Sequence, residues 1–292
     1  MARILHLSDT HFGTEREPVV QAILRWVDDL QPDLVLLTGD ITQRARRSQF
    51  TAARRFVQAL QRPVLAVPGN HDIPLFNVMA RWLNPYGGYR RALGPVLEPV
   101  VDIPGLLAIG VNSTRPSRRK NGEVDAGQVE RVAQRLRKAN ADCLRVVLLH
   151  HPVRAAVESD QRNLLIGREL AIPAWIDAGV DLILGGHIHL PYVLPASADR
   201  MHVRDRSAET GITQGKNPSL PTDIRRQAWI VQAGTAISRR VRGNISNSVN
   251  VIEHSVSQGR HQCVIERWDY MTDLQAFERV KSHALDWFRP GQ

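Results

Sequence analysis

Only two cysteines occur in the 292 residues, Cys143 and Cys263. They fit no paired metal-ligand spacing, and both sit in apolar or alternating runs that read as strands. A disulfide-stapled scaffold is excluded. Buried free thiols of a reducing compartment are expected, with a single disulfide as the alternative. No apolar run approaches the ~18 residues that a membrane-crossing helix requires. No secretory signal precedes the first strand-like run at Arg3–Leu7, so a cytoplasmic protein is predicted. Lysine is nearly absent: of 38 basic residues, 4 are Lys and 34 are Arg, scattered along the whole length. The formal charge of +9 would ordinarily point to a polyanionic partner. Genome composition can produce the same skew, so a solvated, generally basic surface is the expectation and a functional patch the alternative. Aromatic residues make up only 5%, and one segment, Pro74–Leu93, is conspicuous for holding Phe76, Trp82, Tyr86 and Tyr89.

What is present is enough for a substantial core, with 43% apolar residues. A single domain over residues 1–292, with a loop insertion at 196–226, is the simplest organisation. Apolar runs alternate with helical periodicity through the first half, the pattern of βαβ units and a mainly parallel sheet, hence an α/β fold. Strands are predicted at Ile4–Leu7, Leu34–Leu37 and Val64–Val67. Between them run a helix opened by Pro18, with an apolar face of Val19, Val20, Ile23, Leu24, Val27 and Leu30, and a second through Phe50, Ala53, Phe56, Val57 and Leu60. The aromatic segment reads as an irregular helical excursion. Further strands are predicted near Pro99–Ile103, Leu106–Val111, Val146–Leu149 and Leu182–Leu184, with helices over Ala126–Lys138 and near Ile172–Ala178. Residues 196–226 are polar and aperiodic and read as a long loop. Trp229–Gln232, Val249–His254 and Gln262–Trp268 alternate like antiparallel strands completing a second sheet.

Five short segments place metal-ligand side chains just after apolar runs. They are Asp9-Thr10-His11, Gly39-Asp40, Gly69-Asn70-His71-Asp72, His150-His151-Pro152 and Gly185-Gly186-His187-Ile188-His189. Each falls at the C-terminal end of a predicted strand, where open α/β sheets build their sites. Residues i and i+2 on an extended strand end share a side, so Asp9 with His11, and His187 with His189, can reach a common ion. Asp40 ends a buried run, where it must ligate a cation or serve as a helix N-cap. Gly69 permits a tight turn, Asn70 offers an amide oxygen, His71 can transfer a proton, and Asp72 can orient that imidazole. A surface turn is the plain alternative there. Singly these segments are weak. Jointly their carboxylate, amide and imidazole groups suffice for two metal ions side by side, the arrangement that hydrolyses phosphate esters.

In this order the motifs D-x-H, G-D, G-N-H-D, H and G-H-x-H resemble those of the calcineurin-like metallophosphoesterases, over about Arg3–His189. The resemblance implies a four-layer α/β/β/α sandwich with a central mixed β-sandwich and a dinuclear centre. It further implies that Asp9, His11, Asp40 and His189 hold one metal, and Asp40, Asn70, His150 and His187 the other, with Asp40 bridging. The run Arg3–Gly13, the helix beginning at Gly122-Glu123 with Gln128, and the His-His-Pro element are most similar to the bacterial cyclic-nucleotide phosphodiesterase branch. Either histidine of His-His-Pro could face the metal. The family pattern favours His150 and leaves His151 for substrate or a supporting contact.

The expected substrate is a small phosphodiester, such as a 3′,5′-cyclic nucleotide, attacked by metal-bound hydroxide between ions about 3.5–4 Å apart. His71, oriented by Asp72, is assigned to stabilising the phosphoryl group and protonating the leaving alkoxide. The ligand mixture suits Mn, Fe, Zn or Co better than an all-oxygen magnesium site. Trp82–Arg91 is either a base-stacking wall or, the favoured reading, ordinary docking onto the sheet. Arg115–Lys120 likewise either binds phosphate or is merely solvated, with solvation favoured. A repair-type DNA nuclease competes, because Ser8–Gly13 resembles the opening of those enzymes, although they carry a further capping domain; nucleic acid is a disfavoured partner. A lipid-linked or nucleotide-sugar pyrophosphatase also competes, with residues 74–93 and 196–226 as an acyl-binding surface. Lipid-A pathway enzymes usually have Arg where this chain has His71, which counts against it. The non-enzymatic alternative is a metal-free protein-binding scaffold, and no ligand is missing as such scaffolds require.

Overall fold

The computed structural model describes residues 1–196 and 227–289. β1 (Ala2–Leu7), β2 (Leu34–Thr38) and β3 (Val64–Val67) are short aliphatic runs, buried almost throughout, and they pair in parallel. Burial on both faces is what a parallel strand covered by helices requires. The crossovers are α1 (Glu17–Leu30) and α2 (Arg47–Ala59). Val19, Val20, Ile23 and Val27 of α1 are buried, while Leu24 and Leu30 pack at the margin of the same cluster. Pro18 stands in the first turn, and Gln31, left-handed at φ 50°, ends the helix.

The second sheet contains β4 (Val100–Ile103), β5 (Leu106–Gly110), β6 (Leu144–Leu148), β7 (Leu182–Gly185), β8 (Tyr192–Pro195) and β9 (Trp229–Gln232). The chain then returns to the first sheet as β10 (Ser248–Ser257), β11 (Arg260–Met271) and β12 (Ala276–Phe288). The two sheets have six strands each, in the orders β12-β11-β10-β1-β2-β3 and β4-β5-β6-β7-β9-β8. Ile4, Leu36 and Val67 of the first sheet join Ala108, Val146 and Leu184 of the second in one buried layer. Each such aliphatic side chain contributes roughly 1.5–3 kcal/mol on burial. α1 and α2 cover the outer face of the first sheet. α5 (Ala126–Arg137) and α6 (Arg168–Asp177) cover that of the second. The layers are therefore α/β/β/α with a mixed β-sandwich at the centre, as expected.

Several expectations need correction. Trp229–Gln232, Val249–His254 and Gln262–Trp268 do not share a sheet. β9 runs parallel to β7 in the second sheet, whereas β10 and β11 extend the first sheet antiparallel to β1. Alternation reports that one face of a strand is half-exposed; it carries no information about the neighbour. β8 and β12 escaped prediction, and β12 did so because its outer-edge residues are polar and largely exposed. The helix predicted over Ala126–Lys138 is α5, and only the Gly122-Glu123 start given with the resemblance falls before it; at its N-terminus Asp125 accepts from Gln128 N–H and Gln128 Oε1 accepts from Asp125 N–H. Cys143 precedes β6 rather than lying within a strand, and both cysteines are buried and free. The loop expected at 196–226 lies outside the described residues except for Ala196, whose N–H donates to Ala228 O.

The aromatic segment forms α3 (Val78–Leu83) and α4 (Gly87–Leu93). It docks only in part. Tyr89 is buried and donates to Ala66 O, and Tyr86 is buried against Thr114, but Phe76 and Trp82 stand in solvent. Among the described residues no helix is long and apolar enough to cross a membrane.

One buried pair makes stability depend on pH. His254 and His261 lie 2.9 Å apart across β10 and β11 and stack with Trp287. Burial is the main cause that pushes each imidazole down to about 4; beyond it, the partner histidine acts on His254 and Arg289 on His261. Both folded values lie below the unfolded value near 6.5, so between about pH 6.5 and 4 the unfolded chain binds more protons. The urea midpoint is expected to fall as pH drops through that window. His261→Phe, which keeps the stack on Trp287, should flatten the slope.

Candidate metal centre

All five predicted segments emerge from strand ends at one edge of the sandwich. β1 leads to Asp9 and His11, β2 to Asp40, and β3 to the short helical turn Asn70–Asp72. From the other sheet β6 leads to His150, and β7 to His187 and His189. The turns that aim these side chains inward are strained. Asp9, His11, Asp40, His187 and His189 all have φ between 42° and 74°, the left-handed region that non-glycine residues rarely enter. Such conformations cost of order 1–3 kcal/mol each and concentrate at functional sites. At Gly186 a Cβ would collide with Ser8 Oγ and Asp9 Oδ2, and at Gly69 with the Asp40 backbone, so both turns need glycine.

The side chains converge. Asp40 Oδ1 lies 3.3 Å from His150 Nε2 and accepts His71 N–H at 2.8 Å, while Oδ2 is 3.7 Å from His11 Nε2. Asp9 Oδ1 is 3.1 Å from His189 Nε2, which in turn is 3.1 Å from His11 Nε2. His187 Nδ1 is 3.3 Å from His150 Nε2. Potential ligand atoms of Asp9, His11 and His189 lie within 4.8 Å of one another, as do those of Asp9, Asp40 and His150.

Backbone carbonyls set the imidazoles. His150 Nδ1 donates to Thr38 O at 2.8 Å and His189 Nδ1 to Arg240 O at 2.6 Å. A carbonyl can only accept, so each Nδ1 carries the proton and Nε2 is left for a cation. His151 differs: Nδ1 meets Ser113 Oγ at 2.8 Å and Nε2 meets Lys120 O at 2.9 Å, so both ring nitrogens are engaged. Its position near His150 and His187 brings it into their cluster, but its hydrogen bonds leave no lone pair for a metal.

The orphaned atoms decide whether the residues fit a metal. Asp9 Oδ1, His11 Nδ1, Asn70 Oδ1 and His187 Nε2 are buried and make no hydrogen bond. Each unsatisfied buried group costs about 1–3 kcal/mol. Four of the eleven such atoms among the described residues belong to this site's side chains; the Asp9 and Asn70 oxygens are good ligand atoms for a divalent cation, while His11 meets the cluster through Nε2 and His187 meets His150 through Nδ1. The donor set fits.

Electrostatics says the same. Burial disfavours charge on Asp9 and Asp40, yet the facing imidazoles outweigh it and hold both carboxyls well below the ordinary carboxylate range. Burial also opposes a proton on His150, but Asp40 overcomes it and pushes the imidazole up to about 9. His189 is raised against burial chiefly by Asp9. His11 and His187 lack such dominance and burial takes each down to about 3. Two buried anions thus demand compensating positive charge.

One expectation about the G-N-H-D segment is revised. Asp72 does not turn the His71 ring. Its carboxylate accepts from Ile41 N–H, Thr42 N–H, Gly69 N–H and Thr42 Oγ1–H, tying the β2 and β3 turns together. Burial, then Asp40, pushes that carboxyl up to about 6 in spite of the donors. The His71 ring is set instead by Gln43 O, 2.8 Å from Nδ1. Arg240 was not singled out in the sequence: its Nη1 lies 3.2 Å from Gln43 Oε1 and 3.4 Å from His71 Nε2. Its loop is fastened where Thr235 Oγ1 donates to Asp9 O and Ala236 N–H to Ser8 O. One arginine among 34 carries no local signal of such a place.

This fold with this site defines a metallophosphoesterase. Residues 2–191 match the model of the Calcineurin-like phosphoesterase family, and the chain belongs to that family. It is 29% identical over 185 residues to a probable cyclic nucleotide phosphodiesterase of Synechococcus sp., covering 62% of this chain and 67% of that protein. It is also 29% identical over 181 residues to a probable glycerophosphodiester phosphodiesterase of Arcobacter nitrofigilis, covering 57% of this chain and 63% of that protein. The chain thus spans about two thirds of the first relative and somewhat less of the second. A dimetal phosphatase from Danio rerio superposes with a TM-score of 0.61 at 13% identity, covering 97% of this chain and 98% of that one. That likeness shows the fold.

Metal binding should be linked to protons. A ligand imidazole must be neutral, so an ion entering beside His150 expels the proton held there below about pH 9. Manganese affinity, measured by equilibrium dialysis, is expected to fall as pH is lowered from 9 towards 6, by about tenfold per unit for one displaced proton. An affinity flat across that range would contradict the assignment of His150.

Proposed function

We propose that the chain is a two-metal phosphodiesterase acting on a small nucleotide diester, such as a 3′,5′-cyclic nucleotide. The observation that carries this reading is the convergence of ligand atoms of Asp9, Asp40 and His150, and of Asp9, His11 and His189, each set within 4.8 Å, with Asp9 Oδ1 and Asn70 Oδ1 buried and without hydrogen bonds. Asp9, His11, Asp40 and His189 would hold one ion, and Asp40, Asn70, His150 and His187 the other. Mn, Fe, Zn or Co suits this mixture of ligands. When bound, such a pair supplies an acidified water and positive charge beside the phosphate oxygens. The names of both relatives specify phosphodiesters, which supports a diester over a monoester. A reducing, cytoplasmic setting belongs to this reading and is supported by the two buried, unpaired thiols.

The protein's own groups do the rest. Gln43 O holds Nδ1–H of His71 and turns Nε2 towards the leaving group; in its imidazolium form the ring would give the Nε2 proton to the departing alkoxide and keep Nδ1–H on the carbonyl. Arg240, beside that same Nε2, adds a fixed guanidinium for the phosphate oxygens. Asp72 acts on the backbone, holding the turn that carries Asn70 and His71.

His71→Ala is expected to keep both metals and lose turnover by about a hundredfold or more, whereas Asp40→Asn should lose metal. Full turnover in a metal-replete His71→Ala protein would remove His71 from the mechanism. Arg240→Ala should raise KM by about tenfold, the scale of one charge-assisted hydrogen bond, with kcat less affected. The reading itself is tested by reconstituting metal-stripped protein with manganese and offering an aryl phosphodiester, an aryl phosphomonoester, cyclic AMP and single-stranded DNA. Metal-dependent turnover of the diester and cyclic AMP is expected; turnover of DNA alone would assign a nuclease instead.

A further inference from the structure

Six large apolar side chains between positions 75 and 83 stand in solvent: Leu75, Phe76, Val78, Met79, Trp82 and Leu83. Phe76, Met79 and Leu83 are 73%, 72% and 78% exposed. Single exposed hydrophobes are ordinary, but a contiguous patch marks an interaction surface. The display is built rather than slack. Arg81, in the middle of α3, is buried and donates to Pro116 O at 2.7 Å, Arg118 O at 2.7 Å and Pro74 O at 3.0 Å. That clamp fastens α3 to the loop after β5 and leaves its apolar residues outward.

The same segment forms one wall of an open cleft of about 820 Å³, lined also by the start of α2 and by α4. Arg44, Arg46, Arg47, Arg54 and Arg91 line it, and no carboxylate does. None of these five guanidinium groups pairs with a carboxylate of the described residues. Arg44 lies 5.3 Å from the centroid of the Phe76 ring, so charge and apolar surface adjoin. Five uncompensated cations call for a polyanion.

The apolar residues distinguish the polyanions. A single nucleic-acid strand would use the arginines and stack bases on Phe76 and Trp82, but would leave four exposed aliphatic chains without a partner. An anionic phospholipid surface uses both sets, with headgroup phosphates against the arginines, Trp82 at the interface and the aliphatic chains at the acyl boundary. We propose that this face docks the protein reversibly on an anionic phospholipid surface. Arg44 follows Gln43, whose carbonyl sets His71, so the docked face adjoins the candidate metal centre.

The test is co-sedimentation of the full chain with vesicles of phosphatidylcholine alone or mixed with phosphatidylglycerol. Binding is expected only to the mixed vesicles and should weaken with salt. Two double variants, Phe76→Ser with Trp82→Ser and Arg47→Glu with Arg54→Glu, should each weaken partitioning by about tenfold or more, with thermal transitions unchanged from the parent. No binding to either vesicle, equal binding to both, or binding indifferent to the apolar pair would overturn the proposal. Retention on single-stranded DNA without vesicle binding would overturn it in favour of a nucleic-acid cleft.

Discussion

Buried charge joins the two halves of the sandwich, above all where the Asp40 carboxylate of the first sheet faces the His150 imidazole of the second, 3.3 Å apart. Asp40 and Asp9 are both buried, and buried anions persist only where positive charge or hydrogen-bond donors compensate them. Here the donors are few and the imidazoles many. The histidines come from both sheets, so the compensation exists only when β1, β2 and β3 end level with β6 and β7. The aliphatic layer between the sheets enforces that alignment. Its burial also offsets the strain in five left-handed residues that bend the ends of β1, β2 and β7 towards the centre.

From that constraint the rest of the site follows. Carbonyls of Thr38 and Arg240 lock the tautomers of His150 and His189, and Gln43 O does the same for His71. Each of these contacts is to a neutral backbone carbonyl, so the imidazole rings are oriented without a further carboxylate in a site that already holds two. The loop carrying Arg240 is tied to the backbone of Ser8 and Asp9, which places its guanidinium beside His71 independently of substrate. Membership of the calcineurin-like phosphoesterases accounts for the fold and the class of chemistry. The Arg240 guanidinium beside His71 and the apolar, arginine-lined face beyond it belong to this chain's own residues.

Much of this was legible because strand ends leave a clear mark in sequence: an apolar run that stops at Asp, Asn or His. Asp9, Asp40, Asn70, His150 and His187 all announce themselves that way, and the crossover helices show their buried stripes at helical spacing. What failed to show was relational. Gln43 acts through a carbonyl every residue possesses, and Asp72 looked like a partner for His71 because it is adjacent in sequence, whereas it binds backbone across a turn. β10 and β11 alternate as any half-exposed strand does, so their sheet could not be read from them. Trp82 read as docked onto the sheet; the Arg81 clamp, made to Pro74 O nearby and to the distant carbonyls of Pro116 and Arg118, holds α3 with that ring outward.

The most direct measurement is anomalous diffraction from crystals soaked in manganese, collected on the absorption edge. Two peaks flanking the Asp40 carboxylate, about 3.5–4 Å apart, one against Asp9 and His189 and the other against Asn70 and His187, are the predicted result. A single peak, or none near Asp40, would contradict a centre built to hold two ions.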